Sequence, residues 1–377
     1  MTTNALPPPE EEMNALLVFM GKHTASDLHL KVGYPPFMRI GGQLRRIESP
    51  PLPDSSYVEQ MLLPLIPRGR IAEYEQHGDL DFSAHIENGD RFRINMFRSG
   101  DNTHAAIRRV QSRIPDFKEL HLPDVYRDTI MHAIEGLILV CGVTGSGKSS
   151  TLAAMLDYIN ENRFMHVITI EDPVEFSFKP KKCIISQREI GIDVADFHSA
   201  LRHVVRQDPD CILIGELRDR ETMLAALQAA ETGHLVLASL HCMDAAQTFS
   251  RILEFFPRAE HAFIRSSMAN SLRSIMCQRL VPGITQDSRY PATEVMLVNS
   301  VVKEKILHEE DEDFPAILEQ CRHEGMRNFT HSLCEMTQQD MIDRHTALDY
   351  APSREKLISQ LKGIKTATEG LVGRIRG

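Results

Sequence analysis

The chain has 377 residues, with 42 Lys and Arg against 52 Asp and Glu, for a formal net charge of −10. Apolar residues make up 42% and charged residues 25%. This is the composition of a globular protein, not of a disordered, fibrous or disulfide-stapled one, and the length predicts more than one domain. An acidic balance argues against a protein that coats nucleic acid, because phosphate binding calls for a broadly basic surface.

Residues 1–12 (MTTNALPPPEEE) read as a disordered lead-in, with no basic or apolar region of a signal peptide. Met13, Leu16, Leu17 and Met20 recur at helical spacing and predict a helix over 13–24. Leu28 to Val32 and Phe37 to Ile40 read as short strands, and Gly41 with Gly42 marks a hairpin. Helices are predicted over 55–67 and near 68–77. DLDFSAHI and RFRINMF then alternate as two strands about the turn residues Asn88 and Gly89. Together these make a small α/β domain over 13–112. Pro115 and Pro123 mark 113–124 as a linker.

From 125 the texture changes. LILVCG, HVITI, CILIG and HLVLASL alternate with helical stretches at 148–161, 219–232 and 244–255. That alternation predicts a mostly parallel sheet with helices on both faces, over 125–290. After 258 the chain reads as helical, with one strand-like interruption at 290–298, giving a mostly helical region over 291–377. The acidic run EEDED (309–313) reads as a solvated loop. No apolar run approaches the roughly 20 residues of a membrane span, so no direct membrane insertion is expected. Seven cysteines without a C-x-x-C pair read as reduced thiols of a cytoplasmic protein, with no zinc site.

GVTGSGKS (142–149) fits the phosphate-loop pattern G-x-x-x-x-G-K-[ST] between an apolar strand and a helix-forming stretch. Glycines let backbone N–H groups face phosphates, and the helix N-terminus adds its positive end. Gly142, Thr144, Gly145, Ser146, Gly147, Lys148, Ser149 and Ser150 are therefore expected to surround the phosphates of ATP. Lys148 should reach the β- and γ-phosphates, and the Ser149 hydroxyl should bind Mg²⁺.

Hydrolysis also needs carboxylates, and two strand ends offer them. Glu171, Asp172 and Glu175 follow HVITI, and Glu216 follows CILIG. Ligands in such sheets sit beyond the carboxyl ends of the strands. Glu216 is read as the water-activating base and a contributor to the metal site, with Glu171 polarising the water; the bland alternative is helix capping or pairing with Arg218. His241 ends a third strand that His234 begins, and either histidine could instead be a structural hydrogen-bonder. Arg93 and Arg108 lie on adjacent strands of the first domain. In RINMF, alternation puts Arg93, Asn95 and Phe97 on one face and Ile94 and Met96 on the other. These arginines are either solvated or poised over a triphosphate.

At this point the motifs resemble those of the secretion-superfamily hexameric ATPases, and within them the type IV pilus retraction motors, PilT and PilU. ASDLHLKVGYPPFMRIGGQLRR (25–46) is similar to the opening of the family's PAS-like N-terminal domain. GVTGSGKSST is similar to its Walker A, TIEDPVEF to its Asp box, CILIGELRDRET to its Walker B with an atypical Glu, and ETGHLVLASLH to its His box. CIISQREIGID, RILEFFP and EGMRNFTHSL resemble PilU-type segments, while VVKEKILHEEDEDFP departs from the corresponding PilT helix. The resemblance implies a PAS-like domain joined to a RecA-like core with a helical extension. It implies an ATP- and Mg²⁺-dependent motor that drives pilin disassembly for twitching motility. Glu216, Glu171, His241, His234, Arg93 and Arg108 carry over to its catalytic positions. The implied partners are five further copies in a homo-hexamer, an inner-membrane pilus platform protein and a paralogous retraction ATPase. The implied location is cytoplasmic, peripheral at the inner-membrane pilus machine. Two other readings stand beside this one: an accessory ring subunit serving a paralogous motor, and a DNA-translocating secretion ATPase, which the net charge disfavours.

Overall fold

The computed structural model describes residues 7–86, 90–110, 112–285 and 288–363. The predicted turn at Asn88 and Gly89 and the last 14 positions of the predicted helical region lie outside the described residues. The chain divides into two compact units. The first comprises Met1–Arg113 with Val174–Lys179 and Gly191–Ala195, and the second comprises the rest.

The first unit runs α1 (Pro9–Lys22), β1 (Asp27–Leu30), β2 (Phe37–Ile40), β3 (Gln43–Arg46), α2 (Ser55–Leu62), α3 (Ile71–His77), β4 (Asp79–His85), β5 (Arg91–Ser99) and β6 (Asn102–Val110). Helix α1 begins within the stretch expected to be disordered. Pro9 stands at its first position, where a missing N–H costs nothing, and Glu10, Glu11 and Glu12 face the positive helix end. The helix predicted to reach 67 stops at Leu62, followed by a 3₁₀ turn at Leu63–Leu65 that contains Pro64. The six strands form one sheet in the order β3-β2-β1-β6-β5-β4, with every neighbouring pair antiparallel. Phe92, Ile94 and Met96 are buried with Met13, Leu17 and Met20 of α1 and Val58 and Met61 of α2. The alternation read from RINMF is the alternation observed: Arg93, Asn95 and Phe97 take the other, half-buried face.

The second unit runs α4 (Val125–His132), β7 (Gly136–Cys141), α5 (Lys148–Asn162), β8 (His166–Glu171), β9 (Ile184–Glu189), α6 (Phe197–Val204), β10 (Cys211–Ile214), α7 (Arg220–Glu231), β11 (Leu235–Leu240), α8 (Ala245–Glu254), α9 (His261–Ser271), β12 (Leu272–Pro282), β13 (Arg289–Leu297), α10 (Ser300–Leu307), α11 (Phe314–Gln320), α12 (Phe329–Gln338), α13 (Arg344–Tyr350) and α14 (Arg354–Leu361). Its sheet has the order β13-β12-β7-β11-β10-β8-β9, parallel throughout except for the β12–β13 pair. Strands β7, β10 and β11 are buried along their whole length, which is why they read as unbroken apolar runs. Because β7, β8, β10 and β11 are parallel, the residues that follow them emerge at one edge of the sheet.

Strand β12 corrects the expectation of helix after 258. Leu272, Ile275, Met276 and Leu280 are spaced like a helical stripe, yet they lie in an 11-residue strand beside β7. Most of that strand is buried on both faces, so the alternation that would have revealed it is absent. The sheet therefore runs on to Leu297, and a core ending at 290 cuts through the β12–β13 hairpin. The acidic run is also more fixed than a solvated loop. The Asp311 carboxylate holds the buried Arg265 guanidinium, with Oδ1 2.8 Å from one terminal nitrogen, and Glu310 and Asp313 both pair with Lys305. All seven cysteines are free thiols.

Candidate nucleotide site

The loop between β7 and α5 has the geometry its glycines predict. Gly142, Gly145 and Gly147 have φ of +155°, +77° and +90°, where a side chain would strain the backbone. A Cβ at Gly142 would stand 2.3 Å from Ser146 Oγ and 2.6 Å from the Gln278 carbonyl oxygen, so that position also lacks room. Gly147 is the N-cap of α5, and no side chain caps the helix there. Lys148, the first helical residue, is 9% exposed and turns back over the loop. Its Nζ donates to the carbonyls of Gly142 at 2.8 Å and Val143 at 3.2 Å. The Ser146 hydroxyl is buried and unpartnered, a donor that a phosphate oxygen would satisfy. A glycine cradle, a helix N-terminus and a buried ammonium form a set of donors that fits a polyphosphate.

Three strand ends meet beside this loop. Lys148 Nζ lies 3.5 Å from His241 Nδ1, just after β11. The other nitrogen of that ring, Nε2, lies 3.2 Å from Glu216 Oε1, two residues past the end of β10. Glu216 Oε2 accepts from Arg218 at 2.9 Å, and Arg218 reaches Asp172, just after β8, at 3.5 Å. The hydrogen bond to Glu216 raises the Arg218 pKa above its ordinary value. A continuous line of contacts thus joins the phosphate loop to the ends of β11, β10 and β8. Pairing of Glu216 with Arg218, the bland alternative, is observed together with the His241 contact. Glu171 is the last residue of β8 and accepts the Thr169 hydroxyl at 2.6 Å and Gln187 Nε2 at 3.3 Å.

His234 is placed elsewhere. It precedes β11, at the end of the strand away from His241, and its Nδ1 lies 2.9 Å from the Ala229 carbonyl at the close of α7. Arg93 and Arg108 belong to the first unit and face each other across β5 and β6. The row continues through Asp27 of β1 to Arg39 of β2. Arg108 Nε donates to Asp27 Oδ1 at 2.8 Å, and Arg39 stands 3.7 Å from the same carboxylate. Like charges directly opposite one another are unfavourable in a sheet, and Asp27 offsets them here. Burial pushes the Asp27 carboxyl up, but hydrogen bonds from Arg108 and Ser26 outweigh it and hold the pKa below 3.8. Arg93 and Arg108 line a cavity of about 230 Å³ with His29, Asp81 and Asn95.

Two contributors escaped the sequence reading. Gln278 on β12 is 2% exposed; its Nε2 donates to the Ser146 carbonyl at 2.8 Å, and its Oε1 accepts from Thr151 at 3.0 Å. It clamps the phosphate loop to α5. Its only sequence signal is one glutamine inside an apolar run, in a segment whose spacing looks helical. Glu294 on β13 is 8% exposed and accepts the Ala245 N–H at 3.0 Å, at the start of α8 and four positions after His241.

Burial pushes the Glu294 carboxyl from 4.5 up to about 7, and the Asp244 charge adds to this; the Ala245 hydrogen bond and Arg279 work against it. Between about pH 4.5 and 7 the folded protein thus holds a proton at Glu294 that the unfolded chain has released, so this group's contribution falls as pH rises. Glu294→Gln keeps an acceptor for Ala245 and removes the charge. It is expected to shift the denaturation midpoint little at pH 4.5 and to raise stability at pH 8, by about 3 kcal/mol from the shift alone. Denaturant titrations of both proteins at the two pH values check it, and equal midpoints at pH 8 would contradict it.

A family model described as Type II/IV secretion system protein matches residues 6–360. The chain is 38% identical over 340 residues to the type IV pilus retraction ATPase PilT of Pseudomonas aeruginosa, covering 90% of this chain and 98% of that protein. It is 34% identical over 351 residues to the type IV pilus ATPase PilU of the same organism, covering 93% and 91%. The crystal structure of the pilus retraction motor PilT with bound ADP matches with a TM-score of 0.81 at 35% identity, covering 93% of this chain and 99% of that one.

Proposed function

The chain belongs to the type II/IV secretion system protein family and is a P-loop ATPase; from that premise we propose that it drives type IV pilus retraction as a homo-hexameric ring. The observation that carries this is the line of contacts from Lys148 through His241 to Glu216, in a chain that spans nearly all of PilT. In this reading Gly142, Thr144, Gly145, Ser146, Gly147 and Ser150 hold the phosphates, and Lys148 swings from the loop carbonyls to the β- and γ-oxygens. Ser149 and Glu216 would hold Mg²⁺, which takes one or two protein oxygens and fills its remaining positions from phosphate and water. Bound there, the ion neutralises phosphate charge.

Glu216 then takes the proton of the attacking water while Glu171 orients that water. His241 stands between the γ-phosphate end and Glu216, so loss of the phosphate changes what its ring faces. Arg218 competes for Glu216 and must release it before the carboxylate can act as a base. Arg93 and Arg108 neutralise a triphosphate in the assembled ring. His234 serves the α7–β11 turn. The ring works at the cytoplasmic face of the inner membrane against a pilus platform protein.

Cells whose sole retraction ATPase is this protein are expected to retract pili and show twitching motility. No motility in those cells, restored when a paralogous ATPase is added, would favour an accessory ring subunit instead. The match to PilU over 93% of the chain supports that second reading.

A further inference from the structure

The second unit holds another set of donors, on residues that take no part in the phosphate loop. A cavity of about 660 Å³ opens between the start of α4 and the segment that joins α11 to α12, with Val125, Arg322, His323, Arg327, His331 and Glu335 in its walls. Its charged residues come from three pieces of backbone. The 3₁₀ turn Cys321–Glu324 carries Arg322 and His323. Gly325 closes that turn at φ +96°, where a Cβ would also stand 2.9 Å from Val125. Arg327 is fixed by its main chain, which exchanges hydrogen bonds with Val295 of β13 at 2.8 and 3.1 Å. His331 and Glu335 lie one turn apart on α12.

Donors outnumber acceptors here. Among the described lining residues Glu335 is the one carboxylate, and it is engaged: Oε2 accepts from a terminal nitrogen of Arg327 at 2.7 Å, and Oε1 lies 3.4 Å from His331 Nε2. Arg322 donates to that same ring nitrogen. Burial lowers the His331 pKa below its ordinary value, and the Arg322 charge adds to this while Glu335 opposes it. A neutral ring that accepts at Nε2 carries its proton on Nδ1. His331 Nδ1 and Arg327 Nε are thus both N–H donors, and both are buried with no hydrogen-bond partner among the described residues. Leaving two buried donors unmatched is costly. Two guanidinium groups against one carboxylate also make a local positive excess in a chain of net charge −10. The complement to such a site is an anion with several acceptor oxygens, and phosphate suits the guanidinium fork.

We propose that this cavity binds a phosphate group through Arg322, Arg327 and His331, separately from the nucleotide. The site goes beyond the motor reading and does not depend on it. Its volume has room for a phosphate carried on a larger molecule. The test is calorimetric titration of the full-length protein, saturated with ADP to fill the phosphate loop, with inorganic phosphate and with glycerol 3-phosphate. Arg322→Ala, at an exposed position, and Arg327→Gln are each expected to weaken both anions at least tenfold, since a hydrogen bond to a charged group is worth about that much. ADP affinity of the Arg322 variant, expected to equal that of the wild type, shows that it is folded. Lys148→Ala, titrated without ADP, is expected to bind both anions within about twofold of the wild type. Tighter binding of inorganic phosphate assigns the free ion, and tighter binding of glycerol 3-phosphate assigns a phosphate on a larger molecule; either supports the site. Anion binding that survives in Arg322→Ala and is lost in Lys148→Ala overturns the proposal, because the ion then sits at the phosphate loop. Wild-type protein that binds neither anion overturns it as well.

Discussion

Lys148→Ala is expected to lose nucleotide binding and turnover together, whereas Glu216→Gln keeps binding and loses kcat by about 10²–10³-fold. The two differ because the residues meet the nucleotide differently. Lys148 is, among the described residues, the cation enclosed by the loop, anchored on the Gly142 and Val143 carbonyls. Its removal takes the ammonium donor from the Gly142 carbonyl, while the Val143 carbonyl keeps the Ser146 N–H, and it leaves the phosphate charge unopposed, which costs ground-state binding. Glutamine at 216 has nearly the shape of the acid. Its oxygen can accept from Arg218 or from His241 Nε2, so one of the two observed contacts survives without any change in the imidazole tautomer that Lys148 favours. What it cannot do is accept a proton from water. Steady-state kcat and nucleotide affinity measured on the same preparations separate the effects. Turnover by Glu216→Gln above a tenth of wild type would remove Glu216 from the role of base.

The arginine row predicts the second large effect. Arg93→Ala and Arg108→Ala are each expected to lower kcat at least 10²-fold, because a guanidinium on a transferring phosphoryl group is worth about 10³–10⁵ in rate. Arg108 donates to Asp27, so its loss leaves that carboxylate to Ser26 and the more distant Arg39. Arg108 is also 66% exposed, and ion pairs at such positions contribute little to folding. The thermal midpoint of Arg108→Ala is therefore expected to move by only a few degrees while turnover falls. Lysine at either position is not expected to restore the rate, since a point charge cannot reproduce the planar fork. Turnover unchanged in both alanine variants, with the oligomeric state unchanged by mass measurement, would confine these residues to the sheet.

Much of this was legible because local rules and tertiary context agree. GVTGSGKS sits between a strand and a helix, and its glycines take the positive φ values that the pattern requires. Parallel strands then carry Glu216 and His241 to the same edge without further information. The line fails where a sequence signal serves two structures. Leu272, Ile275, Met276 and Leu280 would stripe a helix equally well, so β12 was hidden, and Gln278 and Arg279 with it. Histidines at 234 and 241 look equivalent in one motif, but opposite ends of a six-residue strand separate them. Pro9 and three glutamates read as disorder by composition, yet they begin a helix by position.

The β12–β13 hairpin also decides how this protein can be shortened. The phosphate loop does not stand on its own strand and helix alone: the Ser146 carbonyl and Thr151 are both tied to Gln278, and β13 covers the far edge of the strand that carries it. A fragment ended at the apparent close of the motif region, near 290, would leave β12 as a raw sheet edge of buried apolar residues, prone to pair with another chain. Any trimmed version meant to keep nucleotide affinity has to run past Leu297. It also has to retain α12, which packs on β13 and supplies Phe329 beneath Arg279. The helical region is thus no detachable appendage.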